Sequence, residues 1–196
     1  MVLSSVSVAN ANSIIDTGPG DGGNSGFTLN WQNRLAANFA IDSETTLTSI
    51  SGWIHWTNDR SYSTLNFSIY SNLNSLPGVE LYTGSVLIPI TTIQATNQVN
   101  WNTLSGINWT LDAGQYWVGF STPDSGTMPG GVARPIIDLA YGIPPNWTSI
   151  SGNYNSLGIM ISGVPSAAAV PEPDSYAMLL LGFGLLGFIV HRRKSL

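Results

Sequence analysis

The chain has 196 residues, no cysteine, 9% charged residues and a formal net charge of −5. Without thiols there is no disulfide, no thiolate nucleophile and no cysteine-bound metal. Half of the six cations sit in the last residues, which leaves Arg34, Arg60 and Arg134 against nine acids before Pro171; such a body is a poor binder of nucleic acid and is not drawn to anionic lipid.

The first eight residues hold no cation and too few apolar residues for a full signal peptide. Ala9-Asn10-Ala11 nevertheless has the small-x-small form of a signal-peptidase site. Residues 1–12 are therefore expected to be the remnant of a longer signal peptide, with Asn12 first after cleavage. Ile14–Gly26 is rich in Gly, Asp and Asn and reads as a loop. From Leu35 the apolar period becomes two: Leu35, Ala37, Phe39 and Ile41, then Ile50, Gly52, Ile54 and Trp56 opposite Trp53 and His55, then Leu65, Phe67 and Ile69. Leu76-Pro77-Gly78-Val79 has the proline and glycine of a type II turn. Val86–Ile93 is apolar but interrupted by Pro89, which places it at an edge or a bend. Val99–Asn102 and Trp109–Leu111 read as two short strands. Asp112-Ala113-Gly114 turns into Tyr116, Val118 and Phe120, and Ile136–Tyr141 and Leu157–Val164 close the domain.

No body segment shows helical periodicity. Short strands with frequent turns predict an all-β antiparallel β-sandwich over residues 13–165. Phe67-Ser68-Ile69-Tyr70 before Leu76-Pro77-Gly78, and Leu111–Phe120, resemble the jelly-roll domains of other bacterial surface proteins. The repeat of Thr48-Ser49-Ile50-Ser51-Gly52 at residues 148–152 is ascribed to chance in a chain of this composition.

Candidate chemistry in the body is sparse. His55 is its one histidine and has no nucleophile-elbow pattern beside it; it reads as a strand residue. Paired carboxylates for glycoside hydrolysis stand about 5–9.5 Å apart. Among Asp42, Glu44, Asp59, Glu80, Asp112 and Asp138 only Asp42 and Glu44 are local neighbours, expected on one face of a strand end. Asp16, Asp21 and Asn24 offer oxygen ligands, but their spacing is not that of an EF-hand. No catalytic residue, metal site or cofactor is assigned. Seven tryptophans stand out: Trp53 and Trp117 lie opposite the inward alternation of their strands and are the candidates for stacking on a glycan.

The end of the chain carries a clearer signal. Ser166–Val170 is a small-residue linker, and 166–175 includes Pro171, Glu172 and Pro173; the prolines hold the backbone extended. Residues 176–196 read as one C-terminal transmembrane helix with a basic tail. Ser175–Val190 spans roughly 24 Å as a helix, short of the ~30 Å bilayer core, a gap closed by thinning and snorkelling flanks. Leu179, Leu180, Leu181, Leu185, Leu186 and Phe188 form the anchor. The nine Leu, Ile, Val and Phe residues of this run together contribute about −3 to −5 kcal/mol to insertion. Gly182, Gly184 and Gly187 suit close approach of another helix. Arg192, Arg193 and Lys194 are expected to stay in the cytoplasm, which puts the body outside it.

The order of Pro-Glu-Pro, glycine-bearing apolar helix and terminal basic cluster resembles the PEP-CTERM sorting signal, with Arg-Arg-Lys as its basic cluster. The resemblance covers about 27 residues and implies a Gram-negative, exopolysaccharide-producing cell. It further implies exosortase, a membrane-embedded cysteine protease, as the partner that recognises the tail and cuts near Pro171-Glu172-Pro173. The expected path runs from the inner membrane to the cell surface or extracellular matrix of a biofilm. There the body serves without catalysis as a structural or exopolysaccharide-binding component; the competing class is a secreted glycan-active hydrolase using Asp or Glu. Leu181→Arg is expected to cost about 2.5–3.5 kcal/mol of insertion, and cell fractionation before processing should show the variant leaving the membrane pellet.

Overall fold

The computed structural model describes residues 11–19, 26–30, 32–56, 62–89, 99–123, 126–129, 138–150 and 157–166. Among them lie twelve strands and no helix: β1 Asn12–Asp16, β2 Gly26–Leu29, β3 Arg34–Ile41, β4 Thr45–Trp56, β5 Tyr62–Leu73, β6 Leu76–Pro89, β7 Val99–Leu111, β8 Gly114–Ser121, β9 Gly126–Pro129, β10 Leu139–Ile143, β11 Asn146–Ile150 and β12 Ile159–Pro165. Alternation of apolar and small polar residues builds these strands, because successive side chains point to opposite faces.

The strands form two antiparallel six-stranded sheets. In the first the order is β1-β12-β4-β9-β2, with β7 on the remaining edge of β4; in the second it is β11-β10-β3-β8-β5-β6. Only β5–β6 and β10–β11 join consecutive strands; every other pairing links segments far apart in sequence, so the fold depends on long-range closure. Inner faces supply one apolar core. Leu47, Ile50 and Ile54 of β4 and Ile159 and Ile161 of β12 meet Leu35 and Phe39 of β3, Leu65, Phe67 and Ile69 of β5, and Val118 and Phe120 of β8. Each such burial stabilises by about 1.5–3 kcal/mol. Phe67 and Phe120 pack edge to face at 5.6 Å, a favoured aromatic geometry. At the edge shared by β6 and β7, Tyr82 stacks on Trp109 with centroids 5.4 Å apart, and its hydroxyl donates to the Thr110 carbonyl at 2.8 Å.

The second sheet is buried on its outer face as well. Ala36, Tyr70, Trp117, Ala140 and Trp147 form a separate cluster, with Leu76 packed against it. Small residues there make room for large ones: a Cβ on Gly119 would lie 2.6 Å from Cε2 of Tyr70, whose ring meets Trp147 edge to face at 5.3 Å.

Several sequence expectations are corrected. The supposed loop from Ile14 contains the end of β1, which pairs with β12; its Thr17 donates to the Leu157 carbonyl at 2.6 Å and accepts from the Ile159 amide at 2.7 Å. The turn near Pro77 lies three residues earlier: Asn74 and Ser75 both have positive φ, as a two-residue hairpin needs to match strand twist. Pro77 and Gly78 already belong to β6, an edge strand where a missing donor is tolerated. The two short strands after Val99 are one, β7, with Gly106 at φ +71° next to the register shift between Leu47 and Ser49. The repeated pentapeptide falls in β4 of one sheet and, as far as it is described, in β11 of the other. Gly119→Ala should overpack Tyr70 and cost about 1–3 kcal/mol, read as a lower urea midpoint at unchanged slope.

Candidate functional site

The sequence places function in the tail first. Pro171, Glu172 and Pro173, the anchor residues Leu179, Leu180, Leu181, Leu185, Leu186 and Phe188, and the cations Arg192, Arg193 and Lys194 all lie outside the described residues. Among the described residues no helix is long and apolar enough to cross a membrane; the expected span lies beyond them. The chain clusters into two compact units, 1–166 and 167–196.

The point where the chain leaves the sandwich is well defined. β12 ends with Pro165 paired to Thr45. The Ser166 amide then donates to the Glu44 carbonyl at 2.8 Å, and its hydroxyl donates to the Glu44 carboxylate. The same end of the fold carries the turn before β4, the turn before β8, and Asn12, which pairs with Gly163. Asp42 and Glu44 were expected on a strand face; they stand in the exposed turn between β3 and β4, and Glu44 holds the departing chain.

The two candidate tryptophans part company. Trp117 does face away from the main core, as its alternation with Val118 predicts. It is nonetheless only 1% exposed, because the aromatic cluster on that face covers it, and its Nε1 donates to Asn72 Oδ1 at 2.9 Å. A ring so covered has no surface for a sugar, so Trp117 is a packing residue. Trp53 is half-buried on the outer face of the first sheet. The β4–β7 register sets it opposite Trp101, with ring centroids 5.2 Å apart in an edge-to-face arrangement. Its Nε1 is buried without a hydrogen-bond partner, as is that of Trp147. Trp101, one of the seven tryptophans, was not among the stacking candidates in the sequence, although Trp101, Thr103 and Ser105 alternate there with Asn102 and Leu104.

The remaining polar groups are dispersed. Glu80 lies 3.6 Å from Arg34, both partly exposed, and Arg34 Nη1 donates to the Tyr70 hydroxyl at 3.1 Å. Asp112 and Asp138 are exposed, Asp59 and Asp21 lie outside the described residues, and of His55 only the backbone is described. Among the described residues no group of three or more His, Cys, Asp or Glu is gathered for a metal. Phe27, Thr28, Asn33, Leu35, Tyr141 and Ile150 line an open groove of about 240 Å³, below the roughly 300–1,000 Å³ of small-molecule pockets.

The described fold is thus that of an all-β sandwich, and the tail that follows it is a separate element of sequence. Residues 169–194 match the family model of the PEP-CTERM protein-sorting motif. A chain with this motif is exported and sorted by exosortase, a membrane protease. No curated protein matches the chain at a significant level.

Burial pushes the Tyr70 phenol above its ordinary value of 10.0, against the smaller opposing pull of hydrogen bonds from Ser68 and Arg34. The folded state then holds the phenolic proton more tightly than the unfolded chain. The stability this contributes is complete below about pH 10 and is lost as pH rises through the raised value. Tyr116, raised mainly by burial too, acts in the same sense. Urea midpoints should fall on the alkaline side of pH 10, and Tyr70→Phe should flatten that fall.

Proposed function

We propose that the protein is a non-enzymatic component of the cell surface or extracellular matrix. Residues 176–196 hold it in the cytoplasmic membrane for a time, with the sandwich outside the cytoplasm; exosortase then cuts near Pro171-Glu172-Pro173. The single observation that carries this reading is the sorting-motif match over residues 169–194, joined to the basic cluster Arg192, Arg193 and Lys194, which favours the cytoplasmic side. An extended Pro-Glu-Pro segment suits a protease cleft, because the prolines keep the backbone out of the helical region. After processing the body serves as a structural or glycan-binding element. Its scattered carboxylates favour that reading over the hydrolase, and its low charge favours contacts through hydroxyls and aromatic rings.

Replacing Pro171 and Pro173 by alanine should leave membrane insertion intact and block processing. On a gel the full-length form should accumulate in the membrane fraction, at the expense of the shorter product. Normal processing of the double variant would remove the Pro-Glu-Pro from the role assigned to it.

A further inference from the structure

The outer faces of the two sheets differ. That of the second is paved with aromatic rings, whereas that of the first is lined with hydroxyls. In β4 the core takes Ile50, Gly52 and Ile54, so Ser49, Ser51 and Trp53 point outward by the period of two. Strand register extends each of them sideways. Ser49 is paired with Ser105 of β7 on one side and Ser162 of β12 on the other, and Ser162 is paired with Ser13 of β1. A single row of serines therefore crosses four strands. The next row sets Ser51, itself buried, between Thr103, with hydroxyls 2.8 Å apart, and Met160 of β12. Beyond it the Trp53–Trp101 pair closes the array.

We infer that this face, with Trp101 as the aromatic contact at its end, is a docking platform for an uncharged polysaccharide chain. The inference deepens the glycan-binding reading of the body and rests on it. Charge selects the partner: none of the side chains in these rows is ionisable except Asp16, which is paired with Met160 at the margin. With three cations before Pro171 in a net-acidic body, a polyanion gains no attraction here, and a protein partner would meet little apolar area. A neutral glycan matches what is present. Its C–H faces pack on indole, its hydroxyls exchange hydrogen bonds with serine and threonine, and its length suits rows that run across several strands. A second observation agrees. The Trp53 Nε1 donor has no partner among the described residues, and a buried donor left so is destabilising. A small rotation of Trp53 toward a bound sugar oxygen supplies the missing acceptor.

The test is affinity electrophoresis of the full chain in a polyoxyethylene detergent, whose headgroup contains no sugar. Native gels carry hydroxyethylcellulose, dextran or galactomannan as neutral probes and alginate as the polyanion. Retardation by at least one neutral polymer and none by alginate is expected. Trp101→Ala should weaken that retardation at least tenfold. Ser105→Arg, at an exposed position, should weaken it comparably without shifting the thermal midpoint, which keeps the result independent of folding. Leu87→Ser on the exposed edge of the other sheet should change nothing. No retardation by any neutral polymer, retardation by alginate alone, or retardation untouched by Ser105→Arg would each overturn the platform. Loss of binding with normal tail processing removes this inference alone; binding with failed processing removes only the sorting scheme.

Discussion

The two sheets meet closely where Phe120 of β8 packs on Gly52 of β4. A Cβ at Gly52 would lie 2.9 Å from Cε1 of Phe120, so the ring can press against the backbone of β4 only because the side chain is absent. Ile50, Ile54 and the edge-to-face pair Phe67–Phe120 lie in the same buried core. β4 also carries strands on both of its edges. Phe120 therefore packs against the strand to which β12, β7 and β9 are all paired.

That arrangement leaves each sheet with an outer face to dispose of, and the two are handled differently. In the second sheet the small residues Ala36, Gly119 and Ala140 form a shallow floor, and Tyr70, Trp117 and Trp147 fill it. In the first, serines and threonines keep the face polar without charge, with Trp53 and Trp101 at one end. An exported domain so poor in ions must meet water through neutral hydrogen-bonding groups. The same groups suit a neutral partner better than a charged one. Edge-strand hazards are met by shape: β6 is broken by bulges opposite Tyr70 and carries Pro77 as its second residue.

Much of the inner face was legible in the chain. The alternations at Leu35–Ile41, Ile50–Ile54 and Leu65–Ile69 all mark core-facing residues. Isolated short strands were not legible: β2, β9 and β11 have four or five residues each and owe their pairing to neighbours rather than to their own pattern. β1 was hidden by its glycine-rich sequel. Pro77 and Gly78 were a turn signal without a turn, because a two-residue hairpin at Asn74-Ser75 satisfied the twist first. Gly106 divided one strand into two on paper, though a bulge accommodates it in place.

Where the protein is sent can be taken from its linear order. A sorting signal is recognised as a local run of prolines, apolar residues and cations, and needs no distant contact to be complete. The open outer face of the first sheet cannot be obtained that way. A period of two says which side chains share a face, and it correctly turned both Trp53 and Trp117 away from the core. Whether that face stays open depends on what neighbouring strands place beside it: Tyr70 and Trp147 close over one sheet, whereas serines, threonines and Trp101 flank Trp53 on the other. Those neighbours come from segments up to a hundred residues away or more, and only the pairing of strands brings them together.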